Sequence, residues 1–301
     1  MSKLRISIVQ YLNTAPLVWG FTHGSLAGKY ELSFTVPSQC AEALRAGEAD
    51  IAIIPAIEYQ RIDDLVLLPD LAIASKKQVR SLLLVARKPI AKVRSIALDS
   101  SSRSTQALTR ILCADRWRIT PQFFEAAPDL EAMLNDADAA LLIGDPALRL
   151  AIMLEGTALH DAHGVLACPP HAAGLDGPDE LHVYDMVEEW QHSTGMPAVL
   201  AVWAAREGVM SEEVLQDFAA SRDFGMAHIN DISEVAAFEL KLPSTAMADY
   251  LRHNIDYSLD AENRRGLEHF FARAAALGVI GEHRAIQWAS ATKSLSHTVR
   301  I

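Results

Sequence analysis

Cysteine is scarce in this chain. Cys40, Cys113 and Cys168 are odd in number, far apart and never in a CxxC spacing. That pattern argues against a disulfide framework and a thiolate metal knuckle, and reduced thiols are the expected state. Long apolar runs are missing too: no uninterrupted stretch approaches the ~18 residues of a membrane span. The N-terminal MSKLRISIVQYLNTAPL passes straight into a strand pattern, without the apolar core and cleavage site of a secretory signal. The expectation is a cytoplasmic protein that does not enter a membrane. Basic residues are outnumbered, 27 Lys and Arg against 38 Asp and Glu, for a formal net charge of −11. That balance disfavours nucleic acid, which needs clustered cations. An anionic small molecule has to be drawn in by local dipoles instead. GxGxxG, GxxxxGKS/T and Gly-x-Ser-x-Gly are all absent, so nucleotide cofactors and a serine elbow have no support.

What the chain does contain is the run at 96–112, IALDSSSRSTQALTRIL. A short apolar strand enters Asp99, followed by Ser100, Ser101, Ser102, Ser104 and Thr105. Behind them Ala107, Leu108, Ile111 and Leu112 recur at helical spacing. One hydroxyl is enough to cap a helix. Five within six residues, at the positive end of a helix whose first N–H groups lack partners, make a cradle for a carboxylate or phosphate.

Half of the 301 residues are hydrophobic and 22% are charged, an ordinary core-forming balance. Strand patterns fall at 4–9, 31–36, 49–55, 80–86, 96–98, 122–125, 139–143 and 197–204. A helix opens at Pro37 with Ser38 as its expected N-cap and stops at Gly47. Another spans 129–135, and the C-terminal region is helical over 211–227, 231–240, 244–254 and 260–277. Gly, Pro and His crowd 154–178, which reads as an irregular excursion. His160 and His163 lie three apart there, but no third residue has metal-ligand spacing, and a solvated loop accounts for them. Asp185, Glu188 and Glu189 read as the exposed face of a helix, with Tyr184 and Trp190 packing inward. The alternation of strand and helix predicts α/β architecture. Chain crossings near 87–92 and 193–198 predict a discontinuous lobe (1–88 with 198–301), a second lobe (89–197), and a ligand cleft between them.

The segments SIVQYLNTAPL, VPSQCAEALRAGEADIAIIPAIEY, ALDSSSRSTQAL, LLIGDPAL, YDMVEEWQHSTGMPAVLAVW and YLRHNIDYSLDAENRRGLEHFF closely resemble the chorismate dehydratases of the futalosine route to menaquinone. The resemblance runs nearly the whole length of the chain, in order, leaving 154–178 unmatched. It implies a two-lobed type II periplasmic-binding-protein-like fold, each lobe a mixed sheet flanked by helices, with a helical C-terminal region. By the same resemblance the activity is loss of water from chorismate to give 3-(1-carboxyvinyloxy)benzoate, without cofactor or metal. The 1,4-dihydroxy-6-naphthoate synthase of the same pathway shares the fold. It carries a Pro-Asn-Asp-Thr type motif where this chain has Tyr11-Leu12-Asn13-Thr14. A non-enzymatic binding protein for a small carboxylate is the alternative from another class.

Chorismate carries two carboxylates, so its site calls for neutral donors and backbone amides. The resemblance points to Asn13 and Ser81 as the pair at the reacting ring, binding the leaving hydroxyl. Ser101, Ser102, Ser104 and Thr105 are the expected grip on a carboxylate, with Ser38, Gly144 and Asp145 lining the other walls. As plain structure, Asn13 is a turn residue before Pro16, Ser38 a cap, and Gly144-Asp145-Pro146 a turn. An ionised Asp145 beside a dianion costs repulsion, which favours a hydrogen-bonding role for it. None of the expected site residues is a His or a Glu. The substrate's own enolpyruvyl carboxylate is therefore the expected acceptor of the ring proton.

Overall fold

The computed structural model describes residues 3–155, 159–160, 165–176 and 180–290. Strand β3 (Ile51–Pro55) is buried at every position, which requires cover on both faces of its sheet. It is the centre of a five-stranded sheet containing, in spatial order, β2 (Glu31–Thr35), β1 (Arg5–Val9), β3, β12 (Ala198–Arg206) and β4 (Leu65–Ser75). Strands β1, β2 and β3 are parallel, whereas β12 runs antiparallel to β3 and β4.

The second sheet has seven strands, in the order β7 (Gln122–Ala126), β6 (Ser95–Asp99), β8 (Ala139–Ile143), β5 (Leu82–Ala86), β11 (Leu181–Asp185), β10 (Leu166–Cys168) and β9 (Leu159–His160). Each lobe is thus a mixed sheet, as expected. The first crossing lies between Ser75 and Leu82, ahead of the expected 87–92. Strand β5 is wholly apolar and pairs antiparallel with β8 and β11, a pattern that suits the middle of either sheet. The chain returns to the first sheet between Thr194 and Ala198.

The helices are α1 (Ala15–His23), α2 (Pro37–Ala46), α3 (Arg103–Asp115), α4 (Leu130–Asp136), α5 (Gly144–Leu154), α6 (Met186–Thr194), α7 (Glu212–Ala227), α8 (Ile229–Leu240), α9 (Ser244–His253) and α10 (Ala261–Ala276). Pro37 occupies the first turn of α2 and Val36 its cap position, so Ser38 is not the N-cap. Proline suits that first turn because its missing N–H would have had no partner anyway. Gly47 closes α2 in the left-handed region, at φ 72°. Helix α1, which carries the first strand away from the cleft, lies almost in backbone contact with α7. A Cβ on Gly225 would sit 2.0 Å from the Pro16 carbonyl oxygen, and one on Gly20 2.5 Å from Ser221 Cα. The Ser221 hydroxyl donates to the Leu17 carbonyl at 2.9 Å across the same seam. One hydrophobic core runs through the first lobe and into the second. A smaller one, around Leu83, Met133, Leu142 and Leu181, fills the other face of the second sheet.

Candidate active site between the lobes

The ends of β1, β6 and β8 each turn directly into a helix: β1 through Tyr11–Thr14 into α1, β6 through Asp99–Ser102 into α3, β8 into α5. Carboxyl ends of strands and amino ends of helices are where open α/β sheets hold ligands. The lobes touch here through specific polar contacts. The Leu12 N–H donates to Asp145 Oδ1 at 3.0 Å, the Ser38 N–H to the Ser101 carbonyl at 3.0 Å, and the Ile57 N–H to Ser104 Oγ at 3.0 Å. The Tyr11 phenol and Ser101 hydroxyl are 3.2 Å apart. Gly144 makes this approach possible. It has φ +66°, its N–H donates to the Ser81 carbonyl at 2.8 Å, and a Cβ there would lie 2.8 Å from the Tyr11 ring.

Asn13 and Ser81 are both brought to one phenol, that of Tyr250 on α9. Tyr250 donates to Ser81 Oγ at 2.8 Å, and the Asn13 side chain acts on the same phenol oxygen. The three residues are 7%, 0% and 1% exposed. Burial pushes the Tyr250 phenol well above its ordinary pKa; contacts with Ser81, Asn13 and Arg80 oppose the shift, and the Asp145 carboxylate adds to it. The phenol is therefore a neutral donor at any physiological pH. Tyr250 escaped sequence reasoning: a tyrosine on an amphipathic helix reads as core, and only the fold shows where its oxygen ends.

Ser81 is held by its neighbours. Arg80 sits in the left-handed region at φ 63°, a conformation that costs a non-glycine residue about 1 kcal/mol or more. Asp185 stabilises it by accepting the Val79 and Arg80 N–H groups at 2.9 and 2.6 Å through Oδ2. Its Oδ1 accepts those of Val187 and Glu188 at 2.9 and 3.1 Å, capping α6. Desolvation pushes the Asp185 carboxyl up to about 6 despite these four donors. The expected exposed face is thus corrected at Asp185, and at Glu189, whose side chain is 12% exposed and accepts the Trp117 indole N–H at 2.9 Å, whereas Tyr184 and Trp190 are buried as expected.

The serine cluster is more self-contained than expected. Asp99 accepts the Ser101 N–H at 2.9 Å and its hydroxyl at 2.6 Å. Burial pushes the Asp99 carboxyl up. The Ser102 and Thr105 hydroxyls are 2.9 Å apart, and Ser102 caps α3 by accepting the Thr105 N–H. Ser104 Oγ accepts the Ile57 N–H across the lobes. A cavity of about 10 Å³ beneath Ser104 and Thr105 is the size of a single water sphere. What the cradle still offers is the backbone: the Arg103 and Ser104 N–H groups have no acceptor among the described residues.

Arg103 itself is committed across the lobes, 2.7 Å from Glu42 and 2.9 Å from Glu58. Glu58 is fully buried and also takes Arg45 at 2.7 Å and Arg61 at 3.0 Å. Asp145, on α5, has its carboxyl pushed up to about 6, chiefly by desolvation, with the Leu12 N–H and the Arg149 charge opposing. Beside it lies a cavity of about 330 Å³, walled by Leu142, Pro146, Leu150 and Leu240 among others, with Arg149 at its edge. Among the described residues no three His, Cys, Asp or Glu come together as a metal site. The His160 side chain and His163 lie outside those residues.

The architecture is that of the periplasmic binding proteins. A crystal structure from Archaeoglobus fulgidus superposes with a TM-score of 0.69 at 18% identity, covering 92% of this chain and 98% of that one. The periplasmic aliphatic sulphonate binding protein of Escherichia coli superposes at 0.58 and 16% identity, covering 96% and 94%. Within that class the chain belongs to the menaquinone biosynthesis family, whose model matches residues 4–276. It is 27% identical over 276 residues to the chorismate dehydratase of Thermus thermophilus, which covers 91% of this chain and 95% of that protein. In the described residues no helix is long and apolar enough to cross a membrane.

Proposed function

We propose that this protein is a cytoplasmic hydro-lyase that removes water from chorismate to form 3-(1-carboxyvinyloxy)benzoate on the way to menaquinone. Membership of the menaquinone biosynthesis family and the dehydratase relative support the pathway and the reaction class. The observation that carries the chemistry is the buried set of neutral donors, Asn13, Tyr250 and Ser81, where the lobes meet. In the reaction the ring C–H bond breaks and its proton passes to the substrate's enolpyruvyl carboxylate. The ring C–O bond breaks with both electrons going to oxygen, and that oxygen leaves as water once it receives the same proton. Aromatisation supplies the driving force; the protein supplies orientation and donors for the departing hydroxyl. Asn13 and Ser81 bind that hydroxyl. The free amides at the start of α3, with Ser101, Ser102 and Thr105 shaping the turn, receive a carboxylate. Ser38, Ser104 and Gly144 hold the lobes together around it.

Asp145 and Asp185 both have carboxyls raised to about 6, a value suited to a general base; Asp185 spends both oxygens on four main-chain N–H groups, which leaves Asp145 as the candidate. Its Oδ1 is already occupied by the Leu12 N–H, and a dianionic substrate opposes its ionisation. Its role in the proposal is to hold the first strand's exit. The deciding assay incubates the purified protein with chorismate, follows the loss of diene absorbance and weighs the product, expected lighter by one water. Chorismate left intact while the melting temperature rises would turn the reading to a binding protein, the role of the sulphonate-binding structural relative. Turnover of a cyclised futalosine derivative instead would mark the naphthoate synthase. A loss of more than ~10⁴-fold in Asp145→Asn, the scale of a missing acid–base group, would make Asp145 the base.

A further inference from the structure

The hydrogen bond between Tyr250 and Ser81 has one direction. Asn13 acts on the same phenol, lowering its pKa, while its Oδ1 accepts from the Thr14 hydroxyl at 3.4 Å. Tyr250 passes its own O–H to Ser81 Oγ at 2.8 Å. A serine hydroxyl has one hydrogen and two acceptor positions. With one acceptor position filled by the phenol, the Ser81 hydrogen has to point elsewhere, and no acceptor among the described residues takes it. Main-chain contacts fix the rest of Ser81: its carbonyl receives the Gly144 N–H at 2.8 Å, and the preceding residue is strapped to Asp185. Successive donation along such a chain polarises its last member and strengthens the final donor.

We propose that Tyr250 is a positioning residue for the dehydration: by donating to Ser81 it makes the Ser81 hydroxyl an obligate donor to the departing hydroxyl of the substrate. The inference rests on the dehydratase reading for its substrate. No proton leaves Tyr250 or Ser81. Both lend hydrogen bonds while the ring C–O bond breaks toward oxygen, and the proton that completes water is the one taken from the ring. Without the phenol, Ser81 is free to rotate its hydrogen toward other oxygens, and the donor is misdirected for most of the time.

The test is a double-mutant cycle in chorismate turnover, using Tyr250→Phe, Ser81→Ala and the double variant. Tyr250→Phe is expected to lower kcat by about 10–100-fold with KM within about threefold, below the ~10²–10³-fold of a lost direct donor. The double variant should be no slower than Ser81→Ala. Losses that multiply, or a raised KM with kcat intact, would overturn the positioning role. Should Tyr250→Phe fail to fold, site-specific replacement of Tyr250 by a tetrafluorinated tyrosine keeps the ring in place and lowers the phenol pKa far enough to bring its ionisation into the assayed range, checked by the phenolate absorbance. The positioning role then predicts a new alkaline limb in the kcat profile, where the ionised phenol no longer donates; a profile unchanged from wild type refutes it. If wild-type protein leaves chorismate intact, the dehydratase reading falls by itself. Affinity for chorismate then reads the chain: about 10-fold weaker in Tyr250→Phe and no weaker in the double variant than in Ser81→Ala, or the proposal fails.

Discussion

Asp145→Asn separates electrostatic cost from structural benefit at one side chain. Desolvation lifts the folded-state pKa of Asp145 to about 6, roughly two units above an ordinary aspartate, equivalent to about 3 kcal/mol. The sign is opposite to that of a salt-bridged carboxylate. Between about pH 4 and 6 the folded chain keeps a proton that the unfolded chain has lost, so stability falls as pH rises through that window. Above it the full penalty is present; below the unfolded value it is absent. An asparagine removes the titration and still accepts the Leu12 N–H through its own carbonyl oxygen; the charge assistance of that bond is already contained in the net shift. Asp145→Asn should therefore be about 3 kcal/mol more stable than wild type at pH 8 and about equal to it at pH 4. Asp185 titrates in the same range but is common to both proteins and cancels in the difference. Urea unfolding of the two proteins at pH 4, 6 and 8 measures it directly. A variant less stable than wild type by the same amount at both extremes would refute the desolvation argument. Removing an ionised carboxylate near a dianion should also lower KM several-fold at pH 8, and have less effect at pH 5.

Gly144→Ala combines a strained φ of +66° with a Cβ 2.8 Å from the Tyr11 ring; a loss of about 3 kcal/mol and a raised KM for chorismate are expected, read by thermal unfolding and steady-state kinetics. Glu58→Gln leaves Arg45, Arg61 and Arg103 around an uncharged amide in a fully buried position, and should cost about 3 kcal/mol in urea unfolding. Because Arg103 reaches Glu58 across the lobes, that variant should also bind chorismate more weakly. Gly225→Ala places a methyl 2.0 Å from the Pro16 carbonyl oxygen, forcing α1 and α7 apart for about 3 kcal/mol; an unchanged melting temperature would count against the close packing described.

Most of the fold was legible because its elements carry strong local signals. Strand β8, wholly apolar, and the capped helices α7 and α10 fall within a residue or two of their expected bounds. Strand β4 went unread: Pro69 and Asp70, the latter at φ 62°, interrupt its pattern, and only pairing with β12 through two register shifts makes it continuous. The displaced crossing has a similar origin, since β5 carries no polar residue to declare which sheet it joins. At the site, the boundary of legibility is set by how far apart in the chain the partners are. Ser102 as a cap is local and was readable. Asp185 was read as part of an exposed helix face, yet it caps α6 and half of its acceptor capacity serves Val79 and Arg80, 106 and 105 positions away. Ser81 shows the same limit more sharply. Nothing beside it in the sequence marks it as polar machinery, and its hydroxyl acquires a direction only when α9 delivers a phenol from 169 residues downstream. Resemblance could point to Asn13 and Ser81 because it compares positions one at a time. What joins them in the structure, a phenol that lies beside Asn13 and donates to Ser81, belongs to no position alone.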